Sequence, residues 1–498
     1  MEVSQKANWL DRAIGWFNPA KALNRVRARA AANALLSYEA VRSDRRRGSW
    51  WTTGASSNAE NSGALQKLRE DARDLVRNNA FAKKAVREWS KRVVGWGIPP
   101  TADTGNAKLN AVIDAYWKQW VPACMSDRKM GFYAAQKLIV RSTFESGECL
   151  VRLWTRKLTD GLPVPFQIQV LESDYLDTSR TYPLPSGNII QGVQYDSIGR
   201  IQGYWLFGNH PGEVITTTAR GGLVSQLIPS DSVLHHFEVE RPGAARAVSR
   251  FAPVICKLRD LDEYADAEII RKKIEACLTA MFTQPEGIDG ETNGPAVVDA
   301  SGKKVESFEP GMVMYGKPGT TAEFFSPAST GDYEAHKKVE LHEISAGLDI
   351  PFVLMADDLS EVNYSSFRGG LLAYHEAIEE YRWNWFIPQV CDPIWRRFID
   401  TLVLMGVIEE PNYGVKWNPP PLNLLDRKAE AEADQIELQI GKKTWPQLVS
   451  EQGNDPKKQV AEIAEWKPQL DNAGVNFFPK IAKPGDNNGQ AQDPGAAA

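Results

Sequence analysis

The 498-residue chain has little of the material from which most catalytic sites are built, with six His and five Cys. The cysteines (Cys124, Cys149, Cys256, Cys277 and Cys391) are odd in number and form no C-x-x-C pair. That argues against a disulfide framework and for a reducing compartment, with all five as small buried hydrophobes. Long apolar runs are also missing. The longest strongly apolar stretch, Leu402 to Ile408, falls far short of the ~20 residues of a membrane span. No apolar signal-type segment opens the chain, so a cytosolic protein without a membrane is expected. Nor is there an excess of positive charge: 58 Lys+Arg face 63 Asp+Glu, a formal net charge of -5. Proteins that grip nucleic-acid phosphates over a wide surface are usually basic, so a general nucleic-acid clamp is disfavoured.

What is present is a folded composition, 43% hydrophobic and 24% charged. The length allows about three substructures at ~100–200 residues each. Tryptophan is abundant at 16 residues, and it is favoured at protein interfaces. The segments Trp89–Trp120 and Trp383–Trp395 are therefore candidate subunit contacts, although large cores use Trp equally well. Residues 1–50 hold ten Lys/Arg against four Asp/Glu, including Arg45-Arg46-Arg47. This reads as a basic arm, either merely solvated or touching an acidic partner. The Pro/Gly/Asn/Gln/Ala tail 483–498 reads as disordered.

Residues 65–94 place Leu65, Leu68, Ala72, Leu75 and Val76 on one helical stripe, continued by Val86, Trp89 and Val93. Gly95-Trp-Gly-Ile-Pro-Pro ends it. Helices are predicted near 109–120 and 131–145. From 148 to 240 the pattern changes to short β runs separated by turn signals, predicting a mostly antiparallel region with helices on one side. A long amphipathic helix is predicted over Ala252–Phe282, with Val254, Leu258, Leu261, Ala265, Ile270, Ile274, Cys277 and Met281 near one face. Its other face carries Asp260, Asp262, Glu263, Asp266 and Glu268. A small Gly/Pro-punctuated β insertion occupies 285–328, and a helix returns at 332–346. A loop follows, then a helix over 366–386 that Pro388 and Pro393 stop or kink. A charged helix near 424–440 leads a C-terminal helical module.

Searches for chemistry end in broken motifs. Gly311 to Lys317 fits the first part of a phosphate-binding loop, but Pro318 stands where Ser or Thr must hold Mg²⁺. His342-Glu343 lacks the second His of a zinc helix, because position 346 is Ala. His235 and His236 are strand neighbours and point to opposite faces. Asp357-Asp358 with Glu361 could hold Mg²⁺ or do acid–base work, but a short acidic loop is the commoner meaning. No catalytic residue, metal or cofactor is assigned, and the chain reads as a non-enzyme.

In the order in which they occur, several segments resemble the lambda-like family of tailed-bacteriophage portal proteins. They are Arg73-Asp-Leu-Val-Arg-Asn-Asn79, Val94-Gly-Trp-Gly-Ile98, Gly147-Glu148 before Leu150-Val-Arg-Leu153, and Val170-Leu-Glu-Ser-Asp174. After them come Asp196-Ser-Ile-Gly-Arg200, His236 with Arg241-Pro-Gly243, Phe251-Ala-Pro-Val254, Leu258 through Glu268, and Val362-Asn-Tyr-Ser-Ser-Phe-Arg368. The resemblance runs from about Tyr38 to Trp466. It departs from the family pattern after Pro242, at Ala244-Ala-Arg246-Ala247, and again at Leu425–Glu430.

The resemblance implies an α+β subunit of a dodecameric ring at one capsid vertex, assembled in the host cytoplasm and carried in the virion. It implies a channel for double-stranded DNA, contacted without sequence specificity. The implied partners are the terminase large subunit, the major capsid and scaffold proteins, and a head–tail adaptor. The chain divides accordingly into an N-terminal arm (1–64), an α/β wing (65–251), a stem helix (252–284), a clip (285–328) and a second stem helix (329–350). A tunnel loop (351–366), a long helix with a return to the wing (367–420), a crown-like helical module (421–482) and the tail (483–498) follow.

The expected channel residues are Asp357, Asp358, Glu361, Asn363 and Tyr364 of the tunnel loop, with Asp260, Asp262, Glu263, Asp266 and Glu268 of the stem. Basic linings bind DNA tightly through counterion release, so an acidic lining suits transit. Whether the stem acids face the channel or are simply a solvated helix face stays open at this point. Glu286, Asp289, Glu291, Lys303, Lys304 and Lys317 are the expected clip docking residues. The competing readings are another phage ring protein, such as a tail or baseplate hub, and a nucleotide-using or metal-using enzyme resting on the broken motifs above.

Overall fold

A computed structural model of the chain describes residues 53–213, 224–277, 280–283, 313–316, 333–360, 363–422 and 427–474. The chain divides into Met1–Ser56 and Ser57–Ala498, and the elements below belong to the second unit. The expected basic arm and the 483–498 tail lie outside the described residues. Ser57–Asn61 is a short helix tied into the fold, where Asn58 Nδ2 donates to the Gly243 carbonyl at 2.9 Å and Asn58 Oδ1 accepts from Ala245 N at 2.8 Å.

The stripe over 65–94 forms two helices, α1 (Leu65–Asn78) and α2 (Ala80–Val94). Asn79 parts them by capping α2, its side chain accepting from Ala82 N at 2.8 Å. Next come β1 (Pro100–Ala102), α3 (Ala107–Ala123) and α4 (Phe132–Ser146). The predicted β region is two antiparallel sheets. Strands β2 (Glu148–Thr155), β3 (Phe166–Glu172) and β9 (Val233–Phe237) form one in the order β3-β2-β9. The other is the meander β4 (Tyr182–Leu184), β5 (Gly187–Ile190), β6 (Val193–Asp196), β7 (Ile201–Phe207) and β8 (Ser225–Pro229).

Most of the tryptophans considered as subunit contacts turn out to be core. Trp89, Trp117, Trp120 and Trp395 are buried. Trp120 stacks on Phe166 with ring centroids 5.4 Å apart, and Trp117 meets Phe398 edge-on at 4.9 Å. Trp383 is half-exposed, and Trp96 is 96% exposed. Cys124, Cys149 and Cys391 are buried as expected, whereas Cys256 is exposed.

The long helix predicted to Phe282 is α5 (Ile255–Cys277), and Ala280–Thr283 is instead strand β10. An apolar run such as Ala-Met-Phe-Thr fits either period, so periodicity alone could not separate the two. Strand β10 pairs in parallel with β11 (Val313–Gly316), which makes the failed phosphate-loop candidate part of a strand. The return helix is α6 (Tyr333–Gly347).

The segment read as one loop over 351–366 contains a turn of helix, α7 (Phe352–Ala356), because its apolar residues bury Met355; helix α8 (Tyr364–Tyr381) then begins. Nor do the prolines stop the chain. A π-helical segment, Arg382–Cys391, carries it through Pro388 into α9 (Asp392–Leu404). Strand β12 (Val415–Trp417) pairs with β1, and α10 (Arg427–Gln439), α11 (Trp445–Glu451) and α12 (Pro456–Asn472) follow.

Candidate functional site

The acidic loop between α7 and α8 is exposed at Asp357 and half-buried at Asp358. Asp357 ends α7 in a left-handed conformation (φ 55°), which Asp tolerates better than most residues. Its carboxylate lies 2.5 Å from Lys84 Nζ of α2. Nothing local to the loop points to this cation, because Lys84 is 273 positions away. Asp358 Oδ1 accepts from Ser360 N at 2.9 Å and from Ser360 Oγ at 2.6 Å. The Ser360 bonds hold its carboxyl below the ordinary value, so it is ionised at neutral pH. Asn363 caps α8, accepting from Ser366 N at 2.8 Å, and this backbone role occupies its side-chain oxygen. Glu361 and the Tyr364 side chain lie outside the described residues.

The stem acids do not act as one set. Asp262 accepts from Asn79 Nδ2 at 2.8 Å, Glu263 pairs with Arg259 at 3.0 Å and Glu268 with Arg271 at 2.5 Å. Asp260 and Asp266 remain exposed without an ion pair among the described residues. The apolar stripe of α5 is buried at Leu258 and Leu261 but exposed farther on, with Ile269 at 51% and Ile270 at 56%. The clip residues Glu286, Asp289, Glu291, Lys303, Lys304 and Lys317 lie outside the described residues.

A buried ionic cluster was not foreseen from the sequence. Glu148 opens β2 and is wholly buried. Both its oxygens accept from Arg246 Nε at 2.8 Å, and it meets Arg69 Nη1 at 3.3 Å and His235 Nε2 at 2.8 Å. Burial alone would raise its pKa, but Arg246 and the His235 bond reverse that and hold it well below the carboxylate range. Burial keeps His235 neutral, so its Nε2–H donates to Glu148 and its Nδ1 is left without a partner. His236, on the opposite face of the strand as expected, donates from Nδ1 to Gln389 Oε1 at 2.7 Å and accepts at Nε2 from the Tyr381 hydroxyl at 2.8 Å.

Glu172, Asp174 and His210 lie close enough together to hold a cation. Arg73 already occupies them, with Nη2 at 3.0 Å from Glu172 and 2.5 Å from Asp174. His210 Nδ1 accepts from Gly212 N at 3.0 Å, and its Nε2 lies 3.2 Å from Glu172 without a hydrogen bond among the described residues. This is a closed ion-pair network rather than a donor set awaiting a metal.

Comparison with known proteins places these features in context. Residues 43–382 match the family described as phage portal protein, lambda family. A relative described as "Probable portal protein", from Halomonas phage phiHAP-1, is 23% identical over 466 residues, covering 88% of this chain and 87% of the relative. A chain of the solved structure "Neck of native GTA particle computed with C12 symmetry" is 16% identical, with a TM-score of 0.39, over 75% of this chain and 90% of that one. For "Neck of empty GTA particle computed with C6 symmetry" the values are 15%, 0.41, 82% and 97%.

Proposed function

Because the chain belongs to the lambda family of phage portal proteins, a structural rather than enzymatic family, we propose that its copies assemble into a dodecameric ring at one capsid vertex and conduct double-stranded DNA. The observation that carries this reading is the family match across 43–382, which takes in strands β2 to β9, α5, α6, α7 and all of α8. The open apolar stripe of α5 supports it, since Ile269 and Ile270 call for a neighbour that the described residues do not supply. In this reading residues 285–328 dock the terminase and later the head–tail adaptor, the wing meets capsid and scaffold proteins, and the C-terminal helices form the crown.

The acidic loop is proposed to face the duplex. With Lys84 against Asp357, the repulsive charge falls chiefly on Asp358. Repeated around a ring, it would keep phosphates from settling against the wall, while Lys84 limits the total repulsion.

The test is in the assembled particle. Purified protein should form open rings by negative-stain imaging. Replacing both Asp357 and Asp358 with Lys should slow packaging and lower the DNA retained per capsid, because each copy then presents cations to the backbone. Wild-type packaging and retention in that variant would count against the loop's role. Monomers that never close into rings would count against the function itself.

A further inference from the structure

Between α2 and β1 the chain makes the turn Gly95-Trp96-Gly97, which leaves the Trp96 side chain 96% exposed. The turn is rigidly built. Gly95 (φ 55°) and Gly97 (φ 126°) both adopt conformations that favour glycine. A Cβ on Gly95 would lie 2.7 Å from Pro420, and one on Gly97 2.5 Å from Tyr133. Gly97 N donates to the Val94 carbonyl at 2.8 Å. The next residue, buried Ile98, is clamped through its backbone by Gln136, with bonds of 2.9 and 3.1 Å. A large apolar side chain held fully in water on a fixed support is pre-organised for burial in a partner.

The same chain carries a hollow that fits. Its volume is ≈ 570 Å³, within the ~300–1,000 Å³ range of pockets that enclose small ligands. It is lined by Thr101, Ala102, Trp445, Pro446, Pro456 and Val460. Val460 is 53% exposed, so the hollow opens to solvent. Its rim is polar, with Lys457 3.7 Å from Asp103, and an apolar floor inside a polar rim is the usual anatomy of a protein interface. Within one copy Trp96 and the hollow do not meet. A projecting anchor and a separate receiving site on one chain make a heterologous contact, the type that closes into rings.

We propose that Trp96 of one copy seats in the Trp445/Pro446/Pro456/Val460 hollow of its neighbour and is an anchor of ring assembly. This rests on the ring reading above.

The test is cross-linking in full-length protein carrying Cys256→Ser, which removes the exposed native thiol. Trp96→Cys together with Val460→Cys should give a ladder of covalent multimers on oxidation, and neither substitution alone should. Trp96→Ala should keep the monomer's circular dichroism but raise the concentration of half-assembly more than about tenfold, with Trp96→Phe in between. Rings that form at the wild-type concentration in Trp96→Ala, with no ladder from the paired cysteines, would overturn the inference and leave the ring intact. So would normal rings that instead lose another phage protein from the particle, since Trp96 would then belong to that partner. Wild-type protein that forms no rings would remove the ring reading and this inference with it.

Discussion

Glu148 concentrates more interaction than any other residue of the ionic cluster. Its partners Arg69, Arg246 and His235 lie 79, 98 and 87 positions away in sequence. Helix α1, strands β2 and β9 and the segment before α5 are thus fastened at one carboxylate. A buried ion pair adds little over a well-packed apolar pair, but losing one partner strands the other charge. Glu148→Gln or Arg246→Met should therefore each lower the unfolding free energy by about 3–5 kcal/mol in urea titrations. Glu148→Leu with Arg246→Met should cost much less than the two single losses added together. Strictly additive losses would show that the two do not act as a pair. No sequence pattern reveals such a cluster: Gly147-Glu148 stood out only as a family-like motif, and the convergence of two distant arginines and a neutral histidine is a product of the folded topology.

At the scale of elements, the passage through Pro388 is where local rules and tertiary packing disagree. Proline in a helix interior costs about 3 kcal/mol and usually breaks it. Here the chain widens to a π-helix over Arg382–Cys391, and Asp392 N reaches back to the Ile387 carbonyl. The surrounding contacts favour the wide turn. Gln389 Oε1 accepts from Phe237 N at 3.2 Å besides bonding His236, and Arg382 donates to the Val93 and Arg92 carbonyls at 2.7 Å each, closing the end of α2. Pro388→Ala should accordingly fail to give the stabilisation expected from removing a helix proline, leaving the urea midpoint unchanged or lower. A gain near 3 kcal/mol would mark the π segment as a mere defect. The elements most legible in the sequence were those whose burial follows one period, such as α1, α2 and α4. Least legible were those set by distant partners: the π segment, the α7 turn, the end of α5, and Lys84 against the acidic loop. The Gly-Trp-Gly turn was legible as a helix stop, but nothing local showed that its Trp would be left in water while Trp89, Trp117 and Trp120 were buried.

For the whole molecule, the formal charge of -5 counts every His as neutral, and the fold enforces this at His235, as described above, and at two more. Burial lowers the pKa of His236 to about 4, against the opposing Gln389 bond. Burial, then the Arg92 charge, lowers His375 to about 4 as well. In the unfolded chain both titrate near the ordinary value of about 6.5. Between these values the unfolded state binds more protons than the native state, so stability falls as pH falls. The contribution is complete above about pH 6.5 and is lost progressively toward pH 4. The paired carboxylates Glu148 and Asp174 are held below their ordinary range, so theirs is kept through this interval and is lost only under stronger acid. Acidification should therefore weaken the fold in two stages, the histidine stage first. From His236 alone, the unfolding free energy should drop by about 2 kcal/mol between pH 7 and pH 5. Urea titrations across that range check this, with His236→Gln, whose amide can still meet Tyr381 and Gln389, flattening the slope. A slope unchanged in that variant would show that the acid sensitivity arises elsewhere. In the proposed ring the consequence would extend past the single chain, because acid loosening around His236 would release neighbouring copies at a pH where the carboxylate clusters are still intact.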